Sequence, residues 1–438
     1  MEDTAAQRVV ITGLGVISPL GKTTDDLIEG LRSGRSGIGA LTLLPPDALA
    51  IGFAAEASTF TGHIDDYGPL EKSLQRTIRK GSKVMCREIE MGVAAAQWAM
   101  HHAGYNPDSF DRDRTGVIYG CDYIMSLPEE YAEGIGACTS DGKFEFANWG
   151  KQGLPKVNPL WLLKYLPNMP ASHIAIYNDL RGPNNSITLR EASAGGAISE
   201  AVSTISRGHA DALVVGATGS RVHPLRTLHA AMQEKLAAGR DDPTTMSRPF
   251  DQSRDGSVVG EGAGAMMLES LEHARRRGAM ILGEVRAAST AMAGPTAGDR
   301  PLRIAMSNAL RSTLRSHETS ASSIGHIHAH GLGDVQTDRD EANAITDVFG
   351  GPEEQPPVTT AKGHFGHLGA GGGMVEIIAS LASLGGNLFP IRNLKDLDDE
   401  CPIAAVTDDT TAAGDDFVSV NVSPQGQAAA VWITREVA

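Results

Sequence analysis

Five histidines crowd two short stretches in the last third of the chain. His326, His328 and His330 alternate in GHIHAHG, and His364 and His367 follow in KGHFGH. On a strand, residues two apart share one face, so the first three imidazoles would point the same way. An H-x-H beside an H-x-x-H could supply zinc ligands and activate a water for hydrolysis. Both stretches also run into glycine-rich turns, at Gly331 and at 369–373. Two strand ends that deliver imidazoles to one cavity would instead donate hydrogen bonds to a carbonyl or enolate oxygen. Lys362, in the same segment as His367, is placed to orient it through a carboxylate. On the residues alone, metal-dependent hydrolysis and carbonyl polarisation both stay open.

Other familiar chemistry is missing. TGLGVISPLG (12–21) contains G-x-G, but Ser18 stands where a dinucleotide fingerprint needs its third glycine. No G-x-x-x-x-G-K-[ST] phosphate loop occurs.

The elements that must carry the histidines alternate between strand and helix. RVVITGLGV (8–16) reads as a buried strand closing in glycines, followed by a helix at 25–33. A helical apolar pattern covers 83–103 and a strand covers 115–120; the stretch 121–170 reads as irregular. The segment 191–206 reads as a helix made of Ala, Gly and Ser, small enough to pack closely, and 210–218 and 262–270 read as strands. The pattern then restarts. Strands are expected at 280–289, 324–331, 358–364, 417–423 and 428–435, with helices at 301–316, 338–349 and 373–384. The opening strand and turn recur loosely at 281–289. Such alternation predicts an α/β protein built in layers.

Composition narrows the partners. The 438 residues are 41% hydrophobic and 21% charged, which is globular, and 50 glycines point to tight turns and close backbone packing. A formal charge of −15 argues against nucleic acid. Cys86, Cys121, Cys138 and Cys401 form no C-x-x-C pair and fit a reducing compartment. No apolar run is long enough to span a membrane and no leader is expected, so the sequence predicts a cytoplasmic protein.

Several separated motifs, in order, resemble the β-ketoacyl-acyl-carrier-protein synthases of the thiolase superfamily. They are TGLGVISPLG, LPNM (166–169), GP (182–183), RPFDQSRDGSVVGEGAG (248–264), HAHG (328–331) and K-x-x-x-x-H (362–367). The resemblance spans about 8–434. It implies a five-layer αβαβα thiolase fold of two related halves, 1–265 carrying the nucleophile position and 266–438 carrying the two histidine motifs. It also implies a dimer built on a strand that follows the nucleophile helix, with ADALVVGAT (210–218) suited to that role.

The family acts through a Cys-His-His triad. Counting from Gly182, and back from RGHADALVVGA, puts Glu191 on the cysteine position, with Ser193 the nearest hydroxyl. The two family histidines map to His330 and His367, the lysine to Lys362, its carboxylate partner to Glu376, and the acids after the first histidine to Asp338 and Glu341. The threonines of H-G-T-x-T are replaced by Leu332 and Asp334, and the gate N-S-F-G-F-G-G becomes Asn421–Gln427. The resemblance therefore implies a synthase-like protein of fatty-acid or polyketide biosynthesis, acting on carrier thioesters without acylating itself and using no cofactor or metal. A chain-length-factor-like partner of an active synthase is the second reading, and a hydrolase using the histidine cluster the third. The implied partner is an acyl carrier protein, with a homodimer or a synthase heterodimer as the assembly. Lys72, Arg76, Arg79, Lys80, Lys83 and Arg87 form a basic cluster that would suit an acidic carrier.

Overall fold

The computed structural model describes residues 7–44, 51–238, 242–298, 300–315 and 323–437. Ten strands carry the fold. They are β1 (Val9–Ile17), β2 (Thr115–Cys121), β3 (Asn184–Thr188), β4 (Ala212–Ser220), β5 (Glu261–Ser270), β6 (Gly283–Met292), β7 (His326–His328), β8 (Val358–Thr359), β9 (Asp416–Val422) and β10 (Gln427–Thr434). In the first five the order across the sheet is β1-β5-β4-β2-β3; in the second five it is β6-β10-β9-β7-β8. Each strand of one set has its counterpart five places on. The directions match as well: β2 runs parallel to β3 and β4, as β7 does to β8 and β9, and the remaining pairs are antiparallel. A short β1–β6 contact, Val10 with Glu284 and Ile11 with Gly283, joins the two sets.

Helices fill the space between and outside the sheets. On one outer face α1 (Arg87–His102) packs against β1, β4 and β5. In the middle, α2 (Ser193–Ser206) and α5 (Gly372–Ser383) each touch strands of both sets and touch each other. On the other outer face lie α3 (Pro301–Arg315) and α4 (Val335–Phe349). This is the five-layer αβαβα arrangement of a thiolase fold.

Small residues make the layers fit. A Cβ on Gly13 or Gly15 would lie 2.2 or 2.1 Å from the Ala99 or Ala95 carbonyl of α1. The glycines of TGLG thus let a helix lie directly on β1, which explains them without a nucleotide. A Cβ on Gly195 would sit 2.6 Å from the Ala429 Cβ of β10, so α2 touches the second sheet where it can carry no side chain.

Three sequence expectations are corrected. VTTAKGH is a strand only at Val358–Thr359; a short helix, Lys362–Phe365, follows, and Gly366 closes it with φ +66°. The stretch 121–170 is not wholly irregular, because Glu129–Ala137 is helical. The strand suited to a dimer core, β4, lies between β2 and β5 and has no free edge. Among the described residues the free edge of the first sheet is β3, which precedes α2, and its Asn184, Asn185 and Thr188 are exposed. Residue 265 falls inside β5; we propose that the halves divide at 277–282, after β5 and the helix Leu271–Arg276.

Replacing Gly195 by Val should force α2 off β10 and cost about 1–3 kcal/mol. Chemical denaturation would show a lowered midpoint; an unchanged midpoint would mean that the central layer is not tightly packed here.

Candidate active site

The two histidine motifs converge at the open ends of β7 and β8, in front of the N-terminus of α2. The His330 and His367 rings lie 6.1 Å apart, edge to face. Glu191 belongs to a single turn, Arg190–Ala192, that leads into α2. Arg190 takes φ +53°, a strained conformation for a non-glycine residue that turns the chain sharply and aims Glu191 inward. Glu191 Oε1 lies 3.2 Å from His367 Nε2. Together with Leu332, Thr337 and Val422–Pro424, these groups enclose a cavity of about 20 Å³, room for about one water.

His330 is held from behind. Lys362 Nζ donates to the His330 carbonyl (2.6 Å) and lies 3.3 Å from its Nδ1, and it is ion-paired with Glu376. Asn421 Nδ2 donates to Glu376 Oε2 (2.8 Å), which fixes its amide orientation, and lies 3.3 Å from the same Nδ1. Both groups facing Nδ1 are donors, so the ring proton sits on Nε2, on the other side of the ring. Lys362 therefore supports His330, not His367 as the sequence spacing suggested. Glu341 accepts from the backbone N–H of His330 (2.5 Å) and Gly331 (2.8 Å). Asp338 accepts from Phe250 and Gly333, each through a backbone N–H, and so closes the loop after the histidine.

His367 has different company. Its Nδ1 faces the Gly369 N–H at 3.2 Å, while Nε2 lies 2.7 Å from Arg221 Nη1 as well as near Glu191. A neutral ring satisfies one of these sets at a time. In either tautomer Nε2 is engaged by Arg221 or Glu191 and is not left open to the cavity. Burial and nearby cations, Lys362 for His330 and Arg221 for His367, hold both imidazoles well below their ordinary pKa, so both are neutral near pH 7.

Arg221 is the residue that the sequence reading missed. It touches Glu191 (3.3 Å) and Glu234 as well as His367, and it is 2% exposed. Arg190 meets Glu234 (3.2 Å), and Asp122 lies 3.6 Å from Arg190 and 2.7 Å from Arg226. Three guanidinium groups, of Arg221, Arg190 and Arg226, thus alternate with the carboxylates of Glu191, Glu234 and Asp122, filling that side of the site. Each buried charge has a partner, as it must. The one signal in the sequence was an arginine directly after the small-residue strand GATGS.

The remaining candidates do other work. Ser193 accepts from the Leu189 N–H and donates to the Cys121 carbonyl, so its hydroxyl ties down the start of α2. His326 and His328 both bond Ser380 Oγ in the core, and His364 faces backbone carbonyls. Among the described residues no three His, Cys, Asp or Glu side chains are arranged to hold a metal ion, so the zinc expectation loses its ligand set.

Residues 6–274 match the family described as Beta-ketoacyl synthase, N-terminal domain, and residues 282–394 match its C-terminal domain. The chain is 31% identical, over 92% of both lengths, to 3-oxoacyl-[acyl-carrier-protein] synthase 2 of Synechocystis sp.. A β-ketoacyl synthase structure from Burkholderia phymatum superposes with a TM-score of 0.84 at 25% identity, covering 98% of this chain and 100% of that one. The ishigamide ketosynthase/chain length factor superposes with a TM-score of 0.80 at 24% identity, over 99% and 100% of the chains, and so shares the fold.

Glu88, near Arg226 and Asp122, is pushed by burial from 4.5 up to about 8. Between those values the folded chain holds a proton that the unfolded chain has released, so stability falls as pH rises through that window. Glu88→Gln should reduce the loss in denaturation midpoint between pH 5 and pH 8; identical pH profiles would contradict the assignment.

Proposed function

The chain belongs to the β-ketoacyl synthase family, and we propose that it works on malonyl or acyl thioesters of an acyl carrier protein without acylating itself. Glu191 then stands where the family's nucleophilic cysteine stands, in fatty-acid or polyketide biosynthesis. The observation that carries this reading is the Glu191 carboxylate itself, at the mouth of α2 and held between His367 and Arg221. Cys121 and Cys401 offer no substitute: burial pushes the first thiol far up and the second to about 12.

The chemistry falls to His330. Its Nε2–H would donate to the thioester carbonyl oxygen of a malonyl group. As the bond to the carboxylate carbon breaks and carbon dioxide leaves, the electron pair moves onto that oxygen as an enolate, which the donor stabilises. Water then protonates the α-carbon, leaving the acetyl thioester. Lys362, Glu376 and Asn421 keep His330 in the tautomer that can donate. Glu191 serves as acid, base or hydrogen-bond partner, not as acyl acceptor. For a thioester to enter, the Val422–Pro424 segment or Leu332 must move, because the present cavity is about 20 Å³.

That small cavity, backed by the arginine–carboxylate network, favours one further reading: a chain-length-factor-like subunit whose active partner does the chemistry. Its partner chain, a second copy or an active synthase, would sit at the free edge of β3, beside which the helix Met169–Asn178 exposes Ile176. For the carrier we propose the basic helix Lys72–Gly81. Lys72, Arg76, Arg79 and Lys80 on it, and Lys83 just beyond, are exposed, whereas Arg87 is taken up by Glu261 at 2.7 Å.

Malonyl-carrier decarboxylation should be measurable, should fall by about 10²–10³-fold in His330→Ala, and should persist in Glu191→Gln. Intact-protein mass spectrometry should find no acyl adduct. An adduct at Glu191 would overturn the mechanism, and activity absent alone but present with a co-purifying synthase would select the partner reading. Reversing Arg79 and Lys80 to Glu should weaken carrier binding about tenfold at low salt, less at high salt; unchanged binding would remove this helix from the interface.

A further inference from the structure

A second cavity, of about 320 Å³, lies on the far side of Arg226 and shares no lining residue with the one at Glu191. Much of its wall is apolar, with Leu44, Met85, Met125 and Val222 among the lining side chains, and Arg87, Glu88, Glu130, Lys164, His223 and Arg226 supply polar groups. Leu43 and Leu127, at 45% and 40% exposure, place part of the lining at the surface. The volume is in the range of small-molecule sites.

Among the described residues, two donors in this wall have no partner. Arg226 is 6% exposed, and its Nη1 is buried without a hydrogen bond. His223 Nε2 is in the same condition. The His223 ring accepts at Nδ1 from the Leu225 N–H (3.2 Å) and the Arg226 N–H (3.4 Å), capping the helix Pro224–Gln233. Its proton is therefore on Nε2, and both orphan atoms are donors. Buried donors left unmade cost about 1–3 kcal/mol each, and among the described residues no acceptor reaches either atom.

Charge decides what acceptor fits. Arg226 is already neutralised, with Nη2 bonded to Asp122 at 2.7 Å. His223 is held down to about 4, by burial first and Arg226 next, and so is neutral. Glu88, which also lines the cavity, holds its proton up to about 8. The other two cations of the lining are matched as well, Lys164 by Glu130 and Arg87 by Glu261, each at 2.7 Å, so an added carboxylate would bring an uncompensated negative charge beside Asp122, whereas an uncharged oxygen would not.

We propose that this cavity binds an uncharged aliphatic molecule by its carbonyl oxygen, which accepts from Arg226 Nη1 and His223 Nε2 while its chain lies against Met85, Met125 and Val222. This site does not depend on the chemistry assigned to Glu191 and His330.

Titration of the full-length protein with 2-nonanone, followed by calorimetry, tests it. One ketone should bind per chain, and nonanoate should bind at least about tenfold more weakly, the equivalent of about 1.4 kcal/mol. Met125→Trp, which fills the cavity, should remove binding. His223→Asn, which keeps a capping oxygen but lacks the Nε2 donor, should weaken the ketone about threefold to tenfold. No ketone binding, nonanoate binding as tightly as the ketone, or full binding in either folded variant would overturn the proposal.

Discussion

A single buried cation, the Arg221 guanidinium, sets the terms for the site. It is enclosed by Glu191, Glu234 and His367, which come from the entrance to the central helix, from the end of the helix Pro224–Gln233, and from the second half of the fold. A guanidinium removed from water must be matched by carboxylates and oriented acceptors, or it would not be tolerated. Those partners have to be where they are, and so does the strained turn at Arg190 that presents Glu191. The same requirement spreads outward to Arg190, Arg226 and Asp122, each of which satisfies a neighbour.

The consequence is an asymmetric pair of histidines. His330 rests on an ammonium, a carboxylate and an amide, an arrangement that fixes one tautomer and leaves a donor on the far side of the ring. His367 has its corresponding nitrogen in contact with Arg221 and Glu191. Equal in sequence, the two are unequal in chemistry. In the reading proposed above, one imidazole retains the capacity to polarise a carbonyl, while the other belongs to the charge network that has taken over the nucleophile's surroundings.

Much of this was legible in the chain. The duplicated strand–helix alternation was visible, because buried strands and amphipathic helices impose their periods on the sequence. The resemblance to the synthase family singled out Glu191, His330, His367 and Glu376, and the fold brings Glu191 within 3.2 Å of His367 and Glu376 behind His330. What was not legible involves contacts between residues distant in sequence. Lys362 was assigned to His367 because they are close in the chain, but the short helix Lys362–Phe365 turns it toward His330. Arg221 reads as an ordinary surface arginine until the strand before it is placed in the interior. The edge strand NNSIT is polar because one side faces solvent, so it carries no apolar signal, and the buried β4 was taken for the dimer strand instead.

The most direct measurement is a double-mutant cycle between Glu191→Gln and Arg221→Gln, read by urea unfolding at neutral pH. If Arg221 exists to hold the Glu191 carboxylate, each single change leaves a buried charge poorly matched and the double change relieves part of the loss, giving a coupling above about 1 kcal/mol. Effects that add within about 0.3–0.5 kcal/mol would show that the two side chains are merely adjacent and would contradict this account of the site.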